Sequence, residues 1–348
     1  HNQFGLSLGG PIVEDETFFF VSYEGTRIRT GESALQSFES RNWSSYVAEH
    51  GRPVASFLYA NYPAPEIDLV TSTVGGYLAG NNPWGIPYID SPDQSSVDVF
   101  LLETFDSAPG ALSADAPMTG QATFFTPDST DSDGLSLRID QELGQSDRLY
   151  GRYFFNRTGS QRVLARPAFN EPQQGSAHLL ALNWTHIFGT NMVNEFRAGF
   201  TRNPSEDAPG VPGVPRIAEA SFVSVFSTSG SPSDFRENIF TWADTLSISH
   251  GNHALKMGAE IRRNQENSDW DVGRPGYYFY DLIYLALDDP YYQFAGVNPK
   301  LDEGSGRAEL AASSRGWRGT EIGLFFNDDW KLRRNLTLNL GVRWDWYG

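Results

Sequence analysis

Between Thr320 and Tyr347 the chain reads as one long hairpin whose second arm alternates without a break. Leu336, Leu338, Leu340, Val342, Trp344 and Trp346 fall on one side, and Thr337, Asn339, Gly341, Arg343 and Asp345 on the other. Alternation sustained over this length is a strand signal. An apolar face ending in tryptophans, set against a face carrying Arg and Asp, is what a strand needs with lipid on one side and water on the other. A soluble sandwich produces the same pattern, so a single strand leaves both open. Repetition along the chain is what separates them.

The first candidate strand is Asn2 to Gly9, where Phe4, Leu6 and Leu8 alternate with Gly and Ser, and Gly9-Gly10-Pro11 is expected to break it. Thr17 to Gly25 returns, with Phe18 and Phe20 on one face and Phe19, Val21 and Tyr23 on the other, so its inward side is expected to pack against something inside. Leu135, Leu137, Ile139 and Leu143 then alternate with Ser136, Arg138, Asp140 and Glu142. A turn at Gly144 leads into Leu149, Gly151, Tyr153 and Phe155. Two more hairpins follow the same rule. One places Leu180, Leu182 and Trp184 before a turn at Gly189 and Met192, Phe196 and Phe200 after it. The other places Phe240, Trp242, Leu246 and Ile248 before Gly251-Asn252 and Leu255, Met257, Ala259 and Ile261 after it, opposite Lys256, Glu260 and Arg262.

Connections sort by length. Tight turns alternate with long segments at about 26–131, 158–175, 203–235 and 265–318, rich in Pro, Ser, Asp and aromatic residues. The first of these carries four Arg against thirteen acids, more than half of the net charge of −17. Unstructured connections of that length are uncommon within compact domains. Short turns on one rim and long loops on the other are the asymmetry of a bacterial outer-membrane barrel, periplasmic and extracellular respectively. The fold expected is all-β: an antiparallel transmembrane β-barrel, partial, with about ten strands in five hairpins. Mean hydropathy is −0.41, and no apolar run approaches the roughly 18 residues of a spanning helix, so helical membrane architecture is excluded. There is no cysteine, hence no disulfide framework or thiolate metal site. The acidic balance, with pI ≈ 4.7, argues against nucleic acid as a partner. The chain starts at His1 without a signal segment and is expected to be a piece of a longer protein, or a mature form lacking its front.

Three blocks carry a family resemblance: NQFGLSLGGPI followed by TFFFVSYEG, then LSLRIDQELGQSDRLYGRY, and finally FFNDDWKLRRNLTLNLGVRW. Together they resemble the barrel of TonB-dependent outer-membrane receptors, in particular the Oar-like subgroup, which carries a carboxypeptidase-regulatory-like domain ahead of the plug. The resemblance covers strands and not loops. It implies a barrel of about twenty-two strands, of which this chain holds less than half. It also implies a bacterial outer-membrane location and energy-coupled import of a large or scarce ligand. The plug and signal peptide would lie before His1. The partners implied are outer-membrane lipid, the plug of the same full-length chain and, through the missing front, the TonB complex. A passive barrel or surface adhesin, and a soluble secreted glycan-binding β-protein, remain as alternatives.

No constellation predicts an enzyme, a metal site or a cofactor. Gly5-Leu6-Ser7-Leu8-Gly9 matches a nucleophile elbow in letters, yet Ser7 sits mid-strand with no helix after it. His250 and His253 bracket a turn without a third ligand. Asp128, Asp131 and Asp133 form part of a calcium loop's spacing but lack its first ligand and closing Glu. Asp288-Asp289 and Asp328-Asp329 could supply acid and base, with a polar contact at the periplasmic rim preferred for the second pair. The sequons at Asn42, Asn156, Asn183 and Asn335 matter only in a eukaryotic secretory protein.

Two residue sets remain as site candidates. Trp84, Tyr88, Trp270, Tyr277, Tyr278, Tyr291 and Tyr292 lie in the long loops and are expected to contact an extracellular ligand, whether glycan, peptide or siderophore-like, because aromatic platforms offer area at low entropic cost. Arg138, Asp140, Glu142, Arg152, Arg197, Lys256, Glu260, Arg262 and Arg343 are expected to line the lumen or touch the plug. An arginine at Leu338 is expected to cost about 2–4 kcal/mol if that residue lies at mid-bilayer.

Overall fold

The structure is a computed structural model that describes residues 1–80, 112–113, 115–219, 226, 233–270, 276–294, 297–301, 308–310 and 314–348. In chain order its strands are β1 (Asn2–Val13), β2 (Thr17–Glu39), β3 (Leu69–Thr73), β4 (Pro117–Leu143), β5 (Asp147–Arg162), β6 (Glu171–Phe188), β7 (Met192–Asp207) and β8 (Arg216–Glu219). They continue with β9 (Ser233–His250), β10 (His253–Trp270), β11 (Gly276–Phe279), β12 (Tyr292–Phe294), β13 (Val297–Leu301), β14 (Ala308–Leu310), β15 (Ser314–Arg333) and β16 (Leu336–Tyr347). Helices α1 (Arg41–His50), α2 (Pro53–Asn61), α3 (Val74–Gly80) and α4 (Leu282–Ala286) all fall within the long connections. One antiparallel sheet runs β1-β2-β4-β5-β6-β7-β9-β10-β15-β16, with β3 beside β4. Neighbours on it are the hairpin partners read from the sequence, paired edge to edge.

The ladder register puts the alternation of every strand into phase. Ile139 sits opposite Gly151, Gly151 opposite Leu182, Leu182 opposite Ala198, Ala198 opposite Trp242, Trp242 opposite Ile261, Ile261 opposite Ile322 and Ile322 opposite Trp346. The next row, on the other face, runs Arg138, Arg152, Ala181, Gly199, Thr241, Arg262, Glu321 and Tyr347. One face of the whole sheet is therefore apolar and the other polar. Leu6, Ile139, Leu340, Val342 and Trp344 are all more than half exposed to solvent. Such a surface is stable only against lipid.

Successive hairpins are offset. The closing pairs are Val13–Thr17, Leu143–Asp147, Phe188–Met192 and His250–His253, but Thr17 faces Gln141, Asp147 faces His186 and Met192 faces Ile248, each two residues short of the next turn. That is one residue of stagger per strand. A ~3.3 Å step along the strand for each ~4.8 Å across it tilts the strands by roughly 35°, the tilt of a closing barrel.

Several sequence expectations change in the structure. Gly9-Gly10-Pro11 does not end the first strand: β1 continues to Val13, Pro11 opposes Phe18 and the ladder slips between Pro11 and Val13. An edge strand tolerates proline because only one of its sides is laddered. The turn falls instead at Glu14–Glu16, with Asp15 at φ 60°. The first long connection is also far from patternless. β2 runs on to Glu39 and β4 starts at Pro117, paired throughout as far as Glu39 opposite Thr119, with helices between. Sequence alternation fades over 29–35, where both faces are wet and the backbone ladder carries the pairing alone, before Phe38 and Glu39 are buried beneath the cap. Strands likewise extend to Arg162, Asp207 and Trp270 and restart at Glu171, Ser233 and Ser314. Leu338 lies two residues from the start of β16, close to the tight-turn rim, so it does not probe the middle of the sheet. The middle is marked by residues such as Leu182, six residues from its turn.

A conventional hydrophobic core exists, but outside the sheet's lower part. It gathers Trp43, Val47, Leu58, Tyr59, Tyr77 and Met118 from the first long connection and Phe169 from the second. Ile217 and Phe226 come from the third, and Phe279 with the α4 residues Leu282, Ile283 and Leu285 from the fourth. Described residues of all four long connections thus share one cap.

Candidate functional site

The cap is held by polar contacts between connections that are remote in sequence. Ser40 accepts from the amide of Trp43 at 3.0 Å, capping α1. Helix α2 lacks a cap of its own, and the Asp288 carboxylate serves instead, accepting from the amides of Val54 and Ala55 at 2.8 Å each. Asp288 sits at φ 55°, a conformation that non-glycine residues seldom adopt. Burial pushes its carboxyl above the ordinary value, with the two amides and Arg52 pulling it partly back. Asp281 caps α4 through the amides of Ile283 and Tyr284, and Arg52 donates its amide to the Ala286 carbonyl at 2.9 Å.

At the seam between cap and sheet, Arg166 is 4% exposed and Glu39 fully buried. Arg166 Nη2 is ion-paired with Glu39, its Nε donates to the Tyr62 carbonyl at 3.2 Å, and its guanidinium lies 4.5 Å from the Phe226 ring centroid. One side chain from the second connection therefore contacts the first and the third. Sequence reading missed this pair, because nothing in the local pattern around either residue marks it as buried.

The loop tyrosines form a surface on the small sheet β12-β11-β8. Tyr278 and Tyr292 stack at 4.4 Å with planes 6° apart, Tyr291 meets Tyr292 edge-on at 5.1 Å, and Tyr280 lies 4.1 Å from Tyr291. The Arg216 guanidinium sits 5.7 Å from the Tyr278 ring. Tyr291 is 56% exposed and Phe294 59%. Of the predicted contacts, Tyr278, Tyr291 and Tyr292 come together, while Tyr277 points to the other side of β11 and packs against the cap core. Tyr280, Tyr284 and Arg216 join the group and were not singled out from sequence. Trp84 and Tyr88 lie outside the described residues, as does the side chain of Trp270 at the end of β10.

The predicted lumen residues share the polar face, mostly in fork or ladder contacts. Arg138 binds Asp140 through two hydrogen bonds of 2.7 and 2.6 Å and lies 4.5 Å from the Tyr150 ring. Glu142 accepts from Arg148 at 3.0 Å, the Arg343 guanidinium is ion-paired with Asp345 at 2.8 Å, and Arg262 approaches Glu321 at 4.0 Å. Arg152 lies across from Arg138, Arg197 across from Asn183, Lys256 across from Asn327 and Glu260 across from Gly323.

Near the tight turns the apolar face carries indoles tied to carboxylates. Trp184 Nε1 and His186 Nδ1 reach Asp147 at 2.7 and 2.6 Å. His253 reaches Asp328 at 2.8 Å and stacks on Trp330. Rings with a polar tip are suited to a membrane interface. Asp328 and Asp329 occupy adjacent positions on one strand and so face opposite sides of the sheet, and Asp131 and Asp133 pair with Arg29 and Arg27 at 2.6 and 2.7 Å. Farther from the turns, Asp244 also lies on the apolar face and accepts from Asn194 at 2.8 Å.

A polar face, an apolar face, a barrel stagger and a capped long-loop end define an outer-membrane β-barrel. The family model for the outer membrane beta barrel domain matches residues 1–348, and the chain belongs to that family. It is a protein of the bacterial outer membrane, which sets aside the soluble glycan-binding alternative. Among solved structures the chain is similar to the outer membrane transporter YddB from Escherichia coli, with a TM-score of 0.50 and 10% identity, over 99% of this chain and 33% of that one. It is also similar to P. aeruginosa FpvA in complex with heterologous pyoverdines, with a TM-score of 0.40 and 11% identity, over 68% of this chain and 34% of that one. The chain thus spans about a third of the length of either. Among curated proteins none matches by sequence.

Proposed function

We propose that this chain is the first part of the barrel of a TonB-dependent receptor of the Oar-like type, taking up a large or scarce ligand with energy supplied through a plug and the TonB complex. The observation that carries the reading is the cap: four long connections close around one core and present stacked tyrosines, a structure that a passive pore does not require. The fold's likeness to an outer membrane transporter supports it. In this reading the tight turns are periplasmic and the cap extracellular. The polar face, with Arg138, Asp140, Glu142, Arg152, Arg197, Lys256, Glu260, Arg262 and Arg343, lines the lumen and meets the plug. Phe18 and Phe20, on that same face opposite Asp140 and Arg138, add apolar contact area for the plug. Tyr278, Tyr291 and Tyr292 then contact a glycan, peptide or siderophore-like ligand by ring stacking. The reading is transport and not catalysis.

Uptake by cells making the full-length protein, measured with fluorescent oligosaccharide, peptide and iron-chelate probes, tests it. Accumulation that stops with a protonophore and with deletion of the segment preceding His1 supports the receptor. Surface binding that survives both treatments without accumulation makes the protein an adhesin or passive barrel.

A further inference from the structure

The upper part of the apolar face, just beyond its last aromatic residues, is layered. Moving away from the tight turns, β7 presents Phe200, then Arg202, then Glu206. On β9 the same order is Phe240, Arg236, Asp234, and on β10 it is Ile261, Arg263, Asp269. These residues alternate in phase with Trp242 and Ile261 and so share the lipid-side face. In a chain of net charge −17, arginine collected at the upper end of one face is not a consequence of composition.

Between β5, β6, β7 and β9 this level is hollowed into a groove of ≈ 230 Å³ lined by Phe155, Arg157, Ser176, Glu206, Asp234 and Arg236, among others. That is several times the roughly 30 Å³ of one water. Arg157 reaches Gln174 at 3.4 Å, and Arg202, one step below, reaches Asn238 at 3.2 Å. Among the described residues neither is in an ion pair, while Arg236 is forked by Asp234 at 3.0 and 2.7 Å. His178, beside Arg202 in the ladder, has its Nδ1 against the Tyr153 hydroxyl. Two guanidiniums with no carboxylate at ion-pair distance among the described residues stand at the depth where acyl chains end; Asp133 lies across the ladder from Arg157, and Glu206 and Asp234 lie farther out.

We propose that this groove seats the phosphate of an outer-leaflet lipid, bound by Arg157 and Arg202, with any amine or hydroxyl of its headgroup directed to Glu206. The ligand follows from charge and position. Guanidinium forks match phosphate oxygens, and at the boundary of an apolar band the group that arrives attached to an acyl chain is a lipid phosphate. The acids lie on the outer side, where a headgroup cation would be. The inference rests on the apolar face meeting lipid and is independent of what the barrel transports.

The test uses the full-length protein, delipidated in uncharged detergent and titrated in mixed micelles. The probes are a diacyl phosphoethanolamine lipid, the same diacylglycerol without phosphate, and inorganic phosphate alone. Wild type is expected to bind the phospholipid about tenfold more tightly than Arg157→Gln/Arg202→Gln, and Arg157→Lys/Arg202→Lys is expected to retain most of the affinity. The phosphate-free lipid should show no such difference. Heat-modifiable gel mobility confirms that each variant is folded, and Arg157→Gln alone, at an exposed position, serves if the double variant is not. Unchanged phospholipid affinity in the folded variant overturns the proposal. So does an equal loss with the phosphate-free lipid, or binding of inorganic phosphate as tight as that of the lipid.

Discussion

The sheet and the cap are stabilised in opposite ways. Within the sheet below the aromatic level, the large apolar residues are at least partly exposed and no set of them forms a core, so hydrophobic stabilisation there comes from lipid. Within the cap, Trp43, Tyr59, Phe169, Phe226, Leu282 and Ile283 are almost completely buried against one another, as in a water-soluble domain. The contrast teaches that one chain can carry two solvent codes. A strand in the sheet is specified by what alternates, and a cap segment by what it meets from another connection.

The largest effect separating the two regions is expected from Arg166→Ala. It leaves Glu39 buried and unpaired, at a cost of about 3–5 kcal/mol. Proteolysis and hydrogen exchange should show the cap opening while the membrane-embedded sheet keeps its protection. Leu182→Arg is expected to do the reverse. By the register it lies roughly 16 Å above its turn, near the middle of an apolar band about 25 Å tall, and should cost about 2–4 kcal/mol in lipid-based unfolding. Leu338→Arg, close to the tight-turn rim, should cost about 0–1 kcal/mol in the same assay. Equal penalties at the two sites would break the depth assignment. Asp244→Leu, at a depth similar to Leu182, is expected to stabilise the barrel by roughly 1 kcal/mol, since it removes an acid from the lipid face.

The smallest effect expected is a pH dependence confined to the cap. The folded Asp288 carboxyl titrates above its unfolded value, so the folded cap holds the proton more tightly. Its contribution is complete below the ordinary carboxylate range, about pH 4, and is lost as pH rises through the raised folded value. Asp288→Asn keeps an acceptor for one of the two amides, Val54 or Ala55, removes the titrating proton and should flatten the profile. Exchange rates of the α2 amides across that pH window report it.

Much of the sheet was legible in the sequence because lipid on one side and water on the other impose a period of two. The turns at Gly144, Gly189 and Gly251 were legible too, since each glycine adopts positive φ, between 59° and 68°. Gly9-Gly10-Pro11 misled because a breaker signal carries no information on whether the strand is at an edge. Strand extensions such as 29–35 were invisible, as water on both faces erases the alternation. The cap was hidden for a different reason: Asp288 caps a helix more than two hundred residues earlier in the chain, and Arg166 finds Glu39 at a separation of 127 residues. The tyrosine surface was half visible. Composition pointed to Tyr278, Tyr291 and Tyr292, but only the pairing of β11 and β12 separates Tyr278 from the core-facing Tyr277.

The absence of cysteine from this chain allows single cysteines to be introduced and spin-labelled at adjacent positions, Leu137 and Arg138, Ala181 and Leu182, Ile261 and Arg262, in reconstituted membranes. Collision with oxygen dissolved in lipid and with a water-soluble nickel chelate is then compared at each site. The account predicts strict alternation, with Leu137, Leu182 and Ile261 favouring oxygen and Arg138, Ala181 and Arg262 favouring the chelate. Chelate access that is equal on both faces, or oxygen preference at the arginine positions, would contradict it.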